Sequence, residues 1–198
     1  MRKLVVLTFV SLDGVMQAPG GKGEDPSGGF DLEGWTVHHF DEAVGEAMTK
    51  QMSQPFDLLL GRRTYEIFAS YWPRQGKNEP INKAKKYVVS SETVTIEWEE
   101  TIRIDGNVVS EVEKLKQQDG PMLQVHGSSR LIQALLANDL VDELWLKIFP
   151  VTLGRGKRLF GDGTVPEAFK LTESVTSPSG VIIASFARSG ELRLGSFA

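Results

Sequence analysis

Along the chain, apolar runs of strand length alternate with apolar positions at helical spacing. Residues 4–10 are apolar and rich in β-branched side chains, and they close on Ser11-Leu12-Asp13-Gly14, which predicts a buried first strand. Residues 18–34 are rich in Gly, Pro and Asp and too long for a simple turn, so they are read as a functional loop or lid. Phe40, Val44, Ala47, Met48 and Met52 follow helical periodicity, predicting an amphipathic helix over 38–53 with Phe40 on its buried side. Residues 56–60 form a second apolar run, which Gly61-Arg62-Arg63-Thr64 turns into a helix carrying Tyr65, Phe68 and Ala69.

The remainder repeats these units. Strands are predicted at 87–89, ending in Ser90-Ser91, at 94–98, at 101–104, at 122–125, ending in His126-Gly127, and at 144–149. Val108, Val112 and Leu115 mark one further helix, stopped by Asp119-Gly120-Pro121, and 128–137 is another. The chain finishes in an expected hairpin, 169–175 and 181–187, turning through Ser177-Pro178-Ser179-Gly180. Strands interleaved with helices early and a hairpin late describe an α/β protein with a mostly parallel sheet and an antiparallel edge.

Length and composition narrow the function. With 198 residues, 40% of them hydrophobic, one domain over 1–188 with a tail over 189–198 is the expectation. A net charge of -4 offers no broad positive field for nucleic acid. No stretch approaches the roughly 20 apolar residues of a membrane span, so a cytoplasmic protein is expected. The absence of cysteine removes thiol nucleophiles and thiolate metal sites, and His38, His39 and His126 are too scattered to suggest a metal centre. Chemistry must come from carboxylates, hydroxyls or a borrowed cofactor.

Two strand-to-helix turns stand out, because ligands of open α/β sheets collect where strand ends meet helix N-termini. Gly61-Arg62-Arg63-Thr64 and Gly127-Ser128-Ser129-Arg130 each join a glycine to free helix amides and hydroxyls, which suits a phosphate, and two such sites suit a pyrophosphate. Taken singly, each is better explained by a tight turn and a serine cap. Arg62 and Arg63, with Ser90 and Ser91, could grip an adenosine 2'-phosphate, favouring NADPH over NADH; two cations in a first helical turn oppose the helix dipole unless an anion joins them. Asp13 and Asp41 are candidate acids, Asp41 through desolvation at the edge of a pocket, although an acidic first turn explains Asp41 better when it is taken alone. Trp35, Tyr65, Tyr71 and Trp72 could sandwich a planar ring or simply fill the core.

Taken together, Val10-Ser11-Leu12-Asp13-Gly14, Gly61-Arg62-Arg63-Thr64-Tyr65, Val125-His126-Gly127-Ser128 and the run from Pro150 to Phe160 resemble the dihydrofolate reductase-like family. The branch most similar is the C-terminal reductase domain of bifunctional riboflavin-biosynthesis proteins. The resemblance implies an eight-stranded mixed sheet flanked by helices, with NADPH laid across the strand ends. It implies phosphates at Gly61, Arg62, Arg63, Thr64, Gly127, Ser128, Ser129 and Arg130, with His126 also at the cofactor and Ser90 and Ser91 near the adenosine. Gly14, Gln17 and Ala18 would line the hydride-transfer site, and a homodimer is implied. Two motifs depart from the family pattern: Ser128 replaces the second glycine of a Gly-Gly pair, and Val15 and Met16 follow the SLDG motif where the riboflavin branch has lysine.

The leading expectation is an NADPH-dependent reductase of a small pterin-like or pyrimidine-like heterocycle. The alternatives are a nucleotide- or pterin-binding protein of the same fold without turnover, and a structural α/β module.

Overall fold

The computed structural model describes residues 1–197; Ala198, the last residue of the expected tail, lies outside them. Eight strands form one sheet: β1 (Leu4–Ser11), β2 (Phe56–Gly61), β3 (Lys86–Val89), β4 (Thr101–Ile104), β5 (Met122–His126), β6 (Glu143–Phe149), β7 (Phe169–Thr176) and β8 (Ile182–Arg188). Their order is β4-β3-β2-β5-β1-β6-β8-β7. β4 through β6 in that order run parallel, and β8 pairs antiparallel with β6 and β7. The continuous apolar run of β1 is explained by its place: it lies between β5 and β6 with both faces covered.

The helices are α1 (Glu42–Met52), α2 (Arg62–Tyr71), α3 (Pro80–Lys83), α4 (Val108–Gln117) and α5 (Ser129–Ala137). On one face Leu4, Val6, Val10, Leu123 and Val125 pack with Val112 and Leu115 of α4 and Leu131, Ile132 and Leu135 of α5. The other face carries two separate apolar clusters. Leu58 and Leu60 pack under Tyr65 and Phe68 of α2, whereas Phe149 and Ile183 pack under Val44 and Ala47 of α1. Strand register puts Gln124, His126 and Lys147 on that same face between the clusters, opposite Val5, Leu7 and Phe9 of β1. A buried polar stripe therefore divides the apolar floor beneath α1 and α2.

Two elements differ from the sequence reading. The helix expected over 38–53 begins only at Glu42: a single 3-10 turn covers Val37–His39, and Phe40 is extended (φ -82°, ψ 98°) and 45% exposed rather than buried. Asp41 sets this start, because its side chain accepts a hydrogen bond from Val44 N as an N-cap and so breaks continuity with what precedes it. The strand expected at 94–98 is absent. Val94 and Trp98 are buried against α2 and Ile81 without joining a ladder, and the alternation reflects a wall of the core.

Candidate functional site

β2 and β5 are neighbours in the sheet, so their two strand-to-helix turns meet. They are hydrogen-bonded to each other in both directions: Gly61 N donates to Ser128 Oγ at 3.0 Å, and Ser128 N donates to Thr64 Oγ1 at 3.0 Å. Ser128 Oγ in turn donates to His126 O at 2.9 Å. Both residues of the second turn lie in the left-handed region, Gly127 at φ +50° and Ser128 at φ +59°. A Cβ on Gly127 would stand 3.0 Å from Thr64 Oγ1 and 3.1 Å from its Cγ2, so only glycine lets the turns approach this closely. Ser128, the departure from a Gly-Gly pair, is thus the side chain that locks the turns together. The first-turn amides of α2 and α5 lack intrahelical acceptors by helix geometry, and they end beside one another above β2 and β5.

These turns form part of the wall of a cleft of about 1840 Å³, which also takes in the loop after Met16 and the facing sides of α1 and α2. Of the residues expected at a cofactor site, Gln17, Ala18, Gly61, Arg62, Arg63, Thr64, Ser90, Ser91, His126, Gly127, Ser128, Ser129 and Arg130 line it. Gly14 does not; at φ +80° it shapes the turn after β1, and its carbonyl accepts from Leu159 N at 3.0 Å. Gln17 is a clasp of the lid. Its amide donates to Asp25 O and Ser27 O at 2.9 Å, and its Oε1 accepts from Lys157 N at 3.0 Å. The lid is fastened again through Asp25, which pairs with Lys157 at 2.5 Å and with Arg63 at 3.5 Å.

Arg62 and Arg63 already face carboxylates. Arg62 pairs with Glu66 at 3.0 Å and Glu92 at 3.3 Å, and Arg63 with Asp25 and, at 3.9 Å, Glu66. Glu66 offsets the unfavourable dipole position of both cations, so that position by itself does not demand an outside anion. Both guanidinium groups are partly exposed, and the pairs of Arg62 with Glu66 and Glu92 lie where partners exchange at little cost, whereas Asp25, which faces Arg63, is buried. Ser90 closes a turn at the end of β3, donating to Glu92 O at 2.8 Å and accepting from Glu92 N at 3.0 Å.

The expected acids stand elsewhere. Asp41 lies outside the large cleft. Burial would push its carboxyl up, but hydrogen bonds from Ser179 N (2.9 Å) and Val44 N (3.1 Å) outweigh it and hold the group down at about 2. The desolvated, raised carboxyl expected there is therefore replaced by an ionised cap that ties α1 to the β7–β8 turn. Asp13 is held at about 2 by the Ser11 hydroxyl first, and then by Leu153 N and Gly154 N, so it fastens the end of β1 to the segment after β6. Among the carboxyls that line the cleft, Glu24 is the one pushed up, by burial chiefly and by Asp25 and Glu33.

Of the four aromatic candidates, Tyr71 and Trp72 line the cleft, their rings edge to face at 5.3 Å. Tyr65 is 1% exposed, accepts from Trp98 N at 3.3 Å and is core. Trp35 packs on Phe149 at 5.5 Å and donates to Gln17 O at 2.8 Å, anchoring the lid rather than entering the cleft. The apolar lining comes instead from Leu7, Phe9, Phe40, Met48, Met52 and Phe68, which periodicity had counted as core or left unassigned. His126 closes this part, its ring edge to face with Phe68 at 6.0 Å.

No helix among the described residues is long and apolar enough to cross a membrane, and no cluster of His, Asp and Glu there could hold a metal. Strand order, two helical layers and a cleft across the carboxyl ends of the parallel strands define the dihydrofolate reductase-like fold. The chain belongs to the RibD C-terminal domain family, whose profile matches residues 2–183. It is 29% identical over 188 residues to the uncharacterized protein YyaP of Bacillus subtilis (strain 168), covering 91% of this chain and 92% of that one. A solved Shewanella sp. PV-4 protein ascribed to riboflavin biosynthesis superposes with TM-score 0.65 at 20% identity, covering 96% of this chain and 99% of that one. Dihydrofolate reductase from Enterococcus faecalis, complexed with NADP(H) and RAB-propyl, superposes with TM-score 0.60 at 14% identity, covering 94% and 96% respectively.

Proposed function

We propose that the cleft binds NADPH across the two clasped turns and that the chain is a reductase of a small planar heterocycle held against the apolar wall beneath α1. The observation that carries this reading is the pair of reciprocal hydrogen bonds joining Gly61, Thr64 and Ser128. It fixes two helix N-termini at one place, where a diphosphate would draw on both sets of orphan amides and both dipoles. The family membership and the NADP(H) complex of the E. faecalis neighbour support it.

The residues present fit that cofactor. Gly127 and Gly61 let the two turns close on each other so that both helix starts face one place, Ser129 and Arg130 open α5, and Arg62 and Arg63 are exposed enough to turn toward a 2'-phosphate. NADPH would supply the hydride. The protein's own part is to position two rings and exclude water, with Leu7, Phe9, Met48 and Met52 forming the apolar side and the lid closing the other. We place Glu24, rather than Asp13 or Asp41, in the proton step, because it lines the cleft and burial raises its pKa against the lowering effect of the Gly20 and Gly21 amides that donate to it. We further propose that the chain is cytoplasmic and pairs as a homodimer.

Stopped-flow oxidation of bound NADPH by a panel of pterins and pyrimidine flavin precursors tests the reading. At least one member should oxidise the nucleotide, and E24Q should slow that step while leaving nucleotide affinity intact. Tight NADPH binding with no oxidation by any member would instead make the chain a nucleotide-binding protein without turnover.

A further inference from the structure

The polar stripe on the floor beneath α1 fixes the protonation of one ring that faces the cleft. Gln124 is fully buried, and its side-chain nitrogen reaches the backbone carbonyl of Gln51 at 3.0 Å. A carbonyl only accepts, so this end of Gln124 is the donating amide and its Oε1 points the other way, to His126 Nε2 at 3.0 Å. Oε1 only accepts, so His126 carries its proton on Nε2 and presents a bare Nδ1. His126 Nδ1 makes no hydrogen bond among the described residues. His126 is 7% exposed, and the space it borders is the cleft.

The neighbours keep this ring neutral. Burial first, and the Lys147 side chain second, push the imidazole down to about 3. Lys147 is wholly buried beside the Phe9 ring, its ammonium 5.9 Å from the ring centroid, and its one hydrogen-bond partner among the described residues is Gln51 Oε1. A cationic ligand at Nδ1 would meet that buried amine. The surrounding wall is apolar, so a ligand there is flat and apolar with one neutral donor at its edge.

We propose that His126 Nδ1 is the hydrogen-bond acceptor by which the cleft selects neutral heterocycles bearing a ring N–H. This assignment rests on the reading of the cleft as a heterocycle site. A ligand whose ring nitrogen is methylated leaves Nδ1 desolvated and unpaired, and it should bind at least about tenfold more weakly.

The test is a fluorescence titration of the protein with pteridine-2,4-dione and with its 1,3-dimethyl derivative. Wild type should prefer the dione at least about tenfold. His126→Phe should bind both alike, and His126→Gln, which keeps an acceptor, should retain part of the preference. A long-range proton–nitrogen NMR spectrum of wild type should show a single proton on Nε2 and a Nδ1 resonance that moves with the dione but not with its dimethyl derivative. Equal binding by wild type, no binding of either probe, or an undiminished preference in a folded His126→Phe would overturn the proposal. Should that variant not fold, the wild-type comparison and the Nδ1 resonance still decide. An NADPH titration of wild type reports on the nucleotide reading separately: its failure with probe discrimination intact overturns that reading alone, and the converse overturns this one.

Discussion

Replacing Gly127 by alanine probes the clasp from which the site is built. At φ +50° an L-residue with a side chain costs roughly 1–2 kcal/mol. The new Cβ would sit 3.0 Å from Thr64 Oγ1 and 3.1 Å from Cγ2, closer than ordinary contacts, so Thr64 must withdraw. Its withdrawal breaks the 3.0 Å bond from Ser128 N, worth about 1 kcal/mol. G127A should therefore lose ~2–3 kcal/mol in urea unfolding at unchanged m-value. Thr64→Ala alone should lose about 1 kcal/mol through the same hydrogen bond. In the double variant the nearest Thr64 atom left is Cβ at 3.7 Å, so the steric part vanishes and the hydrogen bond is lost only once. The two losses should then sum to about 1 kcal/mol less than the singles predict. Strict additivity, or a G127A loss below about 0.5 kcal/mol, would mean that the turns are not packed as described.

Further consequences follow from groups outside the clasp. D41A should lower the melting temperature by uncapping α1; because the folded carboxyl is held at about 2, below its ordinary 3.8, wild type loses this contribution as pH falls from about 4 to about 2, and the gap between variant and wild type should close over that window. Lys147 is depressed by burial from 10.5 to about 7, so the unfolded chain binds more protons between those values and stability contributed by this site rises with pH. K147M should remove that rise, and unfolding curves at pH about 7 and about 10 would reveal it as an advantage over wild type that shrinks with pH. G156A should cost at least ~2 kcal/mol, since its Cβ would fall 2.7 Å from Val15 Cγ1 and 2.9 Å from Phe30 at φ +121°; thermal unfolding would measure it.

Much of the framework can be read directly from local patterns, because those patterns have local causes. The apolar run of β1, the strand–glycine–helix units at Gly61 and Gly127, and the antiparallel end all reflect burial on two faces or a turn's backbone needs. Phe40 misleads because it keeps helical spacing while a cap one residue later starts the helix beyond it, a competition that periodicity does not register. Val94 and Trp98 alternate like a strand for a different reason, since both fill a cluster under α2. Tyr65 and Tyr71 sit six residues apart on one helix, and only tertiary packing buries the first and leaves the second 54% exposed. The carboxylates facing Arg63 and the chain of Gln51, Gln124, His126 and Lys147 join residues up to 96 positions apart, so no spacing in the sequence announces them.

The most direct test is an equilibrium titration of nucleotide binding, following quenching of protein fluorescence, with NADPH and NADH on wild type and on a variant carrying Arg62→Ala and Arg63→Ala. Saturable NADPH binding that is tighter than NADH binding in wild type, and loses that margin in the variant, is the predicted result. Absence of nucleotide binding in wild type, or a margin untouched by removing both guanidinium groups, would contradict the assignment of the clasped turns and their arginines to NADPH.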